Sequence, residues 1–205
     1  MNRRALLLDA IERLAVVVLY GALVARIVAG IRVDSVGLGN LLLLPSEGLV
    51  LVFVLVRRRT NDVSWRMRDW LLALAATSAP MLVEARPGHG LVPPFAGAVV
   101  IVTGMLVQLH AKLVLGRSFG CIPANRGLKT AGPYRFVRHP MYAGYALSHL
   151  GYAMMNPTWW NVALYAMAAT LQLARLLAEE RLLERDVAYR RYRELVRHRL
   201  LPGLF

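Results

Sequence analysis

The sequence predicts an all-α, polytopic bundle of membrane helices without a Rossmann domain. Hydrophobic residues make up 57% of the 205-residue chain, above the apolar share of about 45–50% that is typical of soluble domains. They fall into about five to six blocks, several of them near the roughly 20 residues that a helix needs to cross a bilayer. Lys and Arg number 25 against 12 Asp and Glu, and these cations lie between the apolar blocks.

The apolar segments follow one another along the whole chain. They cover residues 14–31, 36–56, 70–83, 91–115, 141–155 and 158–178. The third segment is short for a span, and Pro80 is expected to kink it because proline removes a backbone donor. The fifth is also marginal in length. We therefore expect the fifth and sixth, joined tightly at Asn156-Pro157, to form a hairpin that need not cross the whole bilayer.

Polar residues interrupt the N-terminal segments. Asp9, Glu12 and Arg13 precede the first one, which argues for a retained helix and against a cleaved signal peptide. Glu47 follows Pro45 inside the second segment and is expected at membrane depth, where an acid is a functional candidate. The alternative is that it pairs with Arg26 or another buried cation, or that the helix breaks near an interface.

The positive charge is concentrated in alternate connections. Arginines cluster over residues 57–68, over 117–138 and from 175 onwards, whereas the connections between these hold only Arg32 and Arg86. The positive-inside bias predicts an integral membrane protein, in the inner membrane if it is bacterial, with both termini and the 116–140 loop in the cytoplasm. Contact with anionic lipids then explains much of the charge. Nucleic-acid binding does not, because the cations alternate with apolar segments instead of lining one soluble face.

We expect two regions, a set of N-terminal transmembrane helices over residues 1–90 and a core over 91–205. Glycine and proline recur too often in the 116–140 loop for a long helix. Residues 175–199 are expected to form a helix that leaves the membrane and either lies on anionic lipid or covers a site. The single cysteine, Cys121, excludes an intrachain disulfide and a cysteine metal cluster. Signatures of metallopeptidases, dinucleotide-binding folds and serine hydrolases are missing from the sequence.

The most informative stretch is residues 132–144, which read Gly-Pro-Tyr-Arg-Phe-Val-Arg-His-Pro-Met-Tyr-Ala-Gly. A simple membrane anchor needs no such concentration of cations and aromatic rings between two apolar segments. Tyr134 and Tyr142 offer flat apolar surfaces for a purine, and Gly144 lets a backbone or a ligand approach closely. Because a proline follows His139, its backbone is biased towards an extended form that we expect to leave backbone groups free for a ligand. The alternative is that His139 is a hydrogen-bonded structural residue.

Two acids, Glu179 and Glu180, follow at the cytosolic end of the last apolar segment. Adjacent side chains on a helix point about 100° apart, so we expect only one of them to face a site. A carboxylate suits sugar hydroxyls or an ammonium group. The alternative is a solvated pair that bonds to Arg175, Arg181 or Arg185 on the same helix.

Together these motifs resemble the isoprenylcysteine carboxyl methyltransferase and phospholipid methyltransferase family over roughly residues 100–205. The segment Leu115-Gly116-Arg117-Ser118-Phe119 is similar to bacterial members. The motifs that carry the resemblance are Gly132-Pro133-Tyr134, Arg138-His139-Pro140-x-Tyr142-x-Gly144, Glu179-Glu180, Tyr189-x-x-Tyr192 and Leu201-Pro202.

The resemblance implies an integral-membrane methyltransferase core that uses S-adenosylmethionine, releases S-adenosylhomocysteine and needs no metal. By position, cofactor contacts are implied for Tyr134, His139, Pro140, Tyr142, Gly144, Glu179 and Glu180. Arg138, Arg175 and Glu180 are the implied catalytic candidates, the two arginines near the acceptor. Many members carry Phe-Gly before the two tyrosines, where this chain has Asp186-Val187-Ala188, which puts the shape of the C-terminal lid in question.

The implied acceptor is a hydrophobic or prenylated lipid-like molecule reached from the membrane, with a prenylcysteine carboxyl oxygen favoured and an amine or a thiol still open. Two other functions also remain open. One is an NADPH-dependent membrane reductase of sterols or related lipids, and the other is a lipid-binding membrane scaffold without activity. The sequence leaves the oligomeric state undetermined.

Overall fold

The computed structural model of the protein describes residues 3–31, 48–83, 90–203 and 205, with the side chains of 26–31 and 81 left aside. Over these ranges the secondary structure is helical, apart from one isolated bridge between Val63 and Ala124. The predicted all-α class is confirmed. The helices are α1 (Arg3–Ile31), α2 (48–56), α3 (Met67–Ser78), α4 (Pro94–Leu115), α5 (Pro140–Met155), α6 (Trp159–Leu183) and α7 (Val187–Leu195).

Two of the described helices are long and apolar enough to cross a membrane by length and composition, fewer than the five to six segments expected. These spans cover Pro94–Ser118 and Trp159–Leu183, with mean hydropathies of 1.9 and 1.2. Helix α5 has 16 residues, which agrees with its expected marginal length. Helix α3 ends at Ser78, where a short 3-10 turn over Ala79–Leu82 contains Pro80 at the expected break. Glu47 and its predicted role lie outside the described residues.

Glycines allow α4 and α5 to pack against each other at very short distance. Gly97 and Gly104 lie two turns apart on α4, and Gly144 and Gly151 have the same spacing on α5. A Cβ atom added to Gly144 would lie 2.6 Å from the backbone nitrogen of Gln108 and 2.7 Å from the carbonyl oxygen of Gly104. Small residues at such contacts let helix backbones approach in a membrane. We call these four positions the glycine seam.

We expect Gly144→Ala to lower the thermal stability of the detergent-solubilised protein. The new methyl group meets backbone atoms, which cannot rotate away, so α4 and α5 must separate at a cost of about 1–3 kcal/mol. The control is Gly21→Ala on α1, because a Cβ atom there has nothing within 4 Å and alanine is the better helix former. If the melting temperatures of the two variants do not differ, the seam does not hold the helices together.

The single continuous helix expected over residues 175–199 is wrong, because the structure divides this stretch into two helices. Helix α6 continues to Leu183, and α7 starts at Val187 after a turn. Asp186 causes the break because it is the N-cap of α7, where its carboxylate accepts a hydrogen bond from the Ala188 N–H at 2.8 Å. Aspartate is among the preferred N-cap residues, since its side chain satisfies a helix N–H that has no intrahelical partner.

A buried charge network joins α1 to the loop between α4 and α5. Glu12 is 1% exposed, and its carboxylate forms ion pairs with Arg57 at 2.6 Å and Arg126 at 2.9 Å. It also accepts hydrogen bonds from the N–H groups of Cys121 and Ile122, at 2.9 and 3.0 Å. The polar residues at the start of α1 therefore anchor a loop more than 100 residues later in the chain.

Candidate active site

A cleft forms where the 115–129 loop, the turn over Gly132–Arg135, the start of α5, the end of α6 and α7 meet. Its empty volume is about 590 Å³ when its open mouth is counted. The structure thus brings the 132–144 motif and the paired acids together. Lining side chains include Asn125, Arg126, Lys129, Tyr134, Arg138, His139, Met141, Tyr142, Glu179, Tyr189 and Tyr192.

Glu179 is the acid of the pair that lines the cleft. The Tyr142 hydroxyl donates a hydrogen bond to its carboxylate at 3.0 Å. Arg175, one helical turn earlier on α6, is buried, and its guanidinium lies over the Tyr142 ring at 5.6 Å from the centroid. Tyr142 and Glu179 therefore form a polar pair in the cleft wall, and Arg175, which is not among the lining residues, lies behind Tyr142.

Glu180 points away from the cleft into a buried cluster. One carboxylate oxygen lies 2.8 Å from Arg138 Nε, 3.2 Å from His139 Nε2 and 3.2 Å from the Tyr189 hydroxyl. The other oxygen accepts a hydrogen bond from Arg199 Nε at 2.8 Å. Glu180 is 3% exposed, so this cluster is a buried clamp between the motif, α7 and the residues that follow it. We call it the Glu180 clamp.

The backbone of the motif is paired with the segment after α7. The N–H groups of Arg138 and His139 donate to the carbonyl oxygens of His198 and Arg199 at 2.9 and 2.8 Å. Arg138 Nη1 also donates to the carbonyls of residues 196 and 197, at 2.8 and 2.7 Å. The expectation that the stretch before Pro140 leaves backbone groups free for a ligand is therefore wrong. Those groups are used to hold the chain's later residues against the site.

Pro140 and Gly144 are placed behind the cleft wall. Pro140 is the first residue of α5, where a proline fits because the N–H at that position has no intrahelical partner. Gly144 faces α4 through the glycine seam. Neither is among the residues that line the cleft, so their contact with a cofactor stays a prediction, whereas Tyr134, His139, Tyr142 and Glu179 do line it.

Tyrosines form an aromatic wall on the side of α7. The Tyr192 hydroxyl donates to the carbonyl oxygen of Tyr134 at 2.6 Å, and the rings of Tyr189 and Tyr192 lie 6.0 Å apart. Burial raises the pKa of Tyr134 and of Tyr189 above the usual value and raises the pKa of Tyr192 to about 12. These phenols therefore remain neutral at physiological pH and keep their donor hydrogens.

Sequence reasoning did not identify Asn125 and Arg126 as parts of this wall. Asn125 donates from Nδ2 to the Asp186 carboxylate at 2.9 Å, and this hydrogen bond is the main reason that the pKa of Asp186 is lowered. Asp186 thus caps α7 and ties its start to the loop. An aspartate directly before a helical repeat is a local capping pattern, and this signal could have located the start of α7. Arg126 gave no such signal, because its partner Glu12 is remote in sequence.

No curated protein matches the chain. Its residues 90–190 match the family model described as phospholipid methyltransferase. This range contains the whole 132–144 motif, the Glu179-Glu180 pair and the first residues of α7, and it ends before the carbonyl groups that pair with Arg138. Residues 90–190 therefore form a phospholipid methyltransferase domain, part of the isoprenylcysteine carboxyl methyltransferase and phospholipid methyltransferase family, and this domain supports a membrane methyltransferase that acts on lipid-like substrates.

Proposed function

We propose that the cleft binds S-adenosylmethionine and that the protein transfers its methyl group to a lipid-like acceptor. The observation that carries this proposal is Glu179, a half-buried carboxylate that Tyr142 holds at the wall of an aromatic cleft. The residues fit the cofactor's chemistry. Tyrosine rings suit its purine, and Glu179 suits its hydroxyl or ammonium groups. The cations Arg126 and Lys129 also line the cleft, and they suit the carboxylate of the cofactor.

When bound, the cofactor would supply an electrophilic methyl group on its sulfonium: the acceptor's lone pair would bond to the methyl carbon in line as the carbon–sulfur bond breaks, and S-adenosylhomocysteine would leave as the thioether. The chain's contribution to such a displacement is to hold two reactants aligned and to exclude water. Fixing reactants in this way supplies about 7–11 kcal/mol of a barrier. The Glu180 clamp contributes to this alignment indirectly, because it fixes Arg138 and His139 in the cleft wall. The glycine seam fixes the helix that carries Tyr142.

We propose Arg175, which lies behind Tyr142 and is not among the lining residues of the cleft, as the residue that meets the acceptor. It is 5% exposed, and the contact that the structure gives its guanidinium is the face of the Tyr142 ring. A buried cation of this kind favours an acceptor that brings an anion, such as the carboxyl group of a prenylated cysteine. A carboxylate reaches the site already deprotonated and needs no general base. We infer that Arg175 orients this group and that Arg138 acts through the clamp, as a positioning residue.

The orientation follows from the position of the cleft. Its motifs lie at the same end of α6 as the arginine-rich α7. By the positive-inside bias this end faces the cytoplasm, where a charged, water-soluble cofactor is available. An apolar acceptor then arrives from the bilayer side of the same helices.

The test is calorimetric titration of S-adenosylhomocysteine into the detergent-purified protein. We expect saturable binding that Glu179→Gln weakens about tenfold or more, the usual effect of losing a hydrogen bond to a charged group. Glu194→Gln is the matched control, because Glu194 is an exposed residue on α7 outside the cleft. A folded wild-type protein that does not bind, or a Glu179→Gln variant that binds as the control does, would contradict the proposal.

A further inference from the structure

A second cleft opens on a different face of α6. Its empty volume is about 600 Å³ including its mouth, and it lies between the segment before α3 and the end of α6. Arg181, Leu182 and Arg185 point into it, whereas Glu179 and Leu183 of the same helix point into the first cleft. The two clefts therefore share a helix but not a wall. Its lining residues are Val63, Ser64, Trp65, Arg66, Asp69, Ala178, Arg181, Leu182 and Arg185.

At the floor of this second cleft lies a buried acid with one unsatisfied oxygen. Asp69 is 4% exposed, and its Oδ2 accepts a hydrogen bond from the Ser64 hydroxyl at 2.5 Å. Its Oδ1 has no hydrogen-bond partner among the described residues. Arg181 Nη2 forms an ion pair with this oxygen at 3.7 Å, a distance too long for a hydrogen bond. A buried carboxylate oxygen without a donor is costly, so this position is suited to a donor group from outside the protein.

The rigid setting of Ser64 shows that the carboxylate is held in place. The Ser64 N–H donates to the carbonyl oxygen of Pro123 at 2.9 Å, and the Ser64 carbonyl accepts a hydrogen bond from Trp70 Nε1 at 3.0 Å. Asp69 itself lies in the first turn of α3. The cleft floor is thus built from three parts of the chain that are bonded to one another.

Around the mouth of the second cleft the side chains are positively charged, opposite to Asp69 at its floor. Arg66, Arg181 and Arg185 line the cleft against the single carboxylate of Asp69. The Arg181 side chain is 52% exposed, so its guanidinium reaches solvent at the rim. Planar guanidinium groups match the geometry of phosphate oxygens. Trp65 is 52% exposed beside them, and tryptophan is enriched where a membrane meets water.

We propose that this second cleft binds the headgroup of an anionic phospholipid, namely a phosphodiester that carries a hydroxyl donor, as phosphoglycerol does. The rim arginines pair with the phosphate, and the headgroup hydroxyl donates to Asp69 Oδ1. Excess positive charge in the cleft favours a net anion over a zwitterion. The carboxylate at the floor disfavours a headgroup that has a phosphate and no donor. The site lies on the face of α6 that methyl transfer does not use, and the inference is independent of the proposed function.

The experiment measures lipid binding to the detergent-purified full-length chain by native mass spectrometry, with no cofactor added. Three short-chain lipids are compared: phosphatidylglycerol, phosphatidylmethanol, which has the same charge and no donor, and phosphatidylcholine, which has neither net charge nor donor. We expect phosphatidylglycerol to bind about tenfold more tightly than phosphatidylmethanol, the effect of one hydrogen bond to a charged group, and phosphatidylcholine to bind least.

Variants separate the site from general surface charge. Arg181→Gln should weaken phosphatidylglycerol about tenfold, whereas Arg191→Gln, an exposed arginine of α7 outside the cleft, should leave it unchanged. Asp69→Asn should abolish the preference for phosphatidylglycerol over phosphatidylmethanol. Equal binding of these two lipids to the wild type, or equal effects of the two arginine variants, would overturn the proposal and leave only electrostatic attraction. Because Arg181 is largely exposed, its variant folds and keeps the test decisive.

Discussion

Replacing Glu180 by glutamine is expected to destabilise the protein by about 3–5 kcal/mol, the usual cost of removing one partner from a buried ion pair. Arg138, His139, Tyr189 and Arg199 all lie within hydrogen-bond distance of its carboxylate. A neutral amide keeps one acceptor oxygen and brings its own N–H donors against these groups. The measurement is thermal unfolding in detergent.

Limited proteolysis provides a second measurement of how the same variant destabilises the segment after α7. Because the Glu180 clamp holds the segment after α7, trypsin should cut at Arg197 and Arg199 faster in Glu180→Gln than in the wild type. Glu194→Gln makes the same chemical change at an exposed position of α7 and should alter neither melting nor cleavage. If Glu180→Gln melts and is cleaved as this control is, the clamp contributes nothing to the fold.

The second large effect is expected from Glu12→Gln, again about 3–5 kcal/mol. The substitution leaves the guanidinium group of Arg126, at 2% side-chain exposure, beside a neutral side chain. It also removes one of the two carboxylates of Arg57, which keeps its ion pair with Asp9 at 2.7 Å. Thermal unfolding in detergent again measures the loss. We also expect S-adenosylhomocysteine to bind more weakly, because Arg126 lines the first cleft and Glu12 holds it there.

A double variant distinguishes a coupled pair from two independent losses. Removing Arg126 together with its partner, in Glu12→Gln/Arg126→Gln, should cost less than the sum of the two single variants. Residues in direct contact show interaction energies of about 0.5–3 kcal/mol in such cycles. Strict additivity would mean that Glu12 and Arg126 do not stabilise each other, and that Glu12 acts through Arg57 and the N–H groups of Cys121 and Ile122.

Local patterns in the sequence were enough to place the helices of the core and the main motif. Hydropathy located α4, α5 and α6 to within a few residues at their starts, because a membrane helix is a local property of composition and length. The pairing of the 132–144 motif with the two acids also emerged, since both lie at one end of the same helical hairpin. Among the described helices two are long and apolar enough to cross, fewer than the segments expected, and α3 with its 12 residues is too short.

What the sequence did not reveal depends on contacts between distant segments. Helical geometry indicated that one acid of the pair would face the cleft, but choosing Glu179 required the positions of Tyr142 and Arg199. The partners of Glu12 lie far along the chain, and no periodic pattern in the sequence predicts these contacts. The break before α7 is a different case. Asp186 is a capping residue in a local pattern, and the continuous helix was expected because the apolar and basic residues on both sides alternate without a gap.

The pairing of Arg138 with the carbonyls of residues 196 and 197 has a consequence for biosynthesis. Residues 196 and 197 follow Arg138 by 58 and 59 positions in the chain, and α5 and α6 lie in between. As the chain grows, the apolar hairpin can enter the bilayer well before the residues that close the site leave the ribosome. Contacts so distant in sequence form late in folding as well. A membrane-inserted but incomplete chain therefore has its helices and lacks the last walls of the first cleft, so we expect ligand binding there only when synthesis has passed α7.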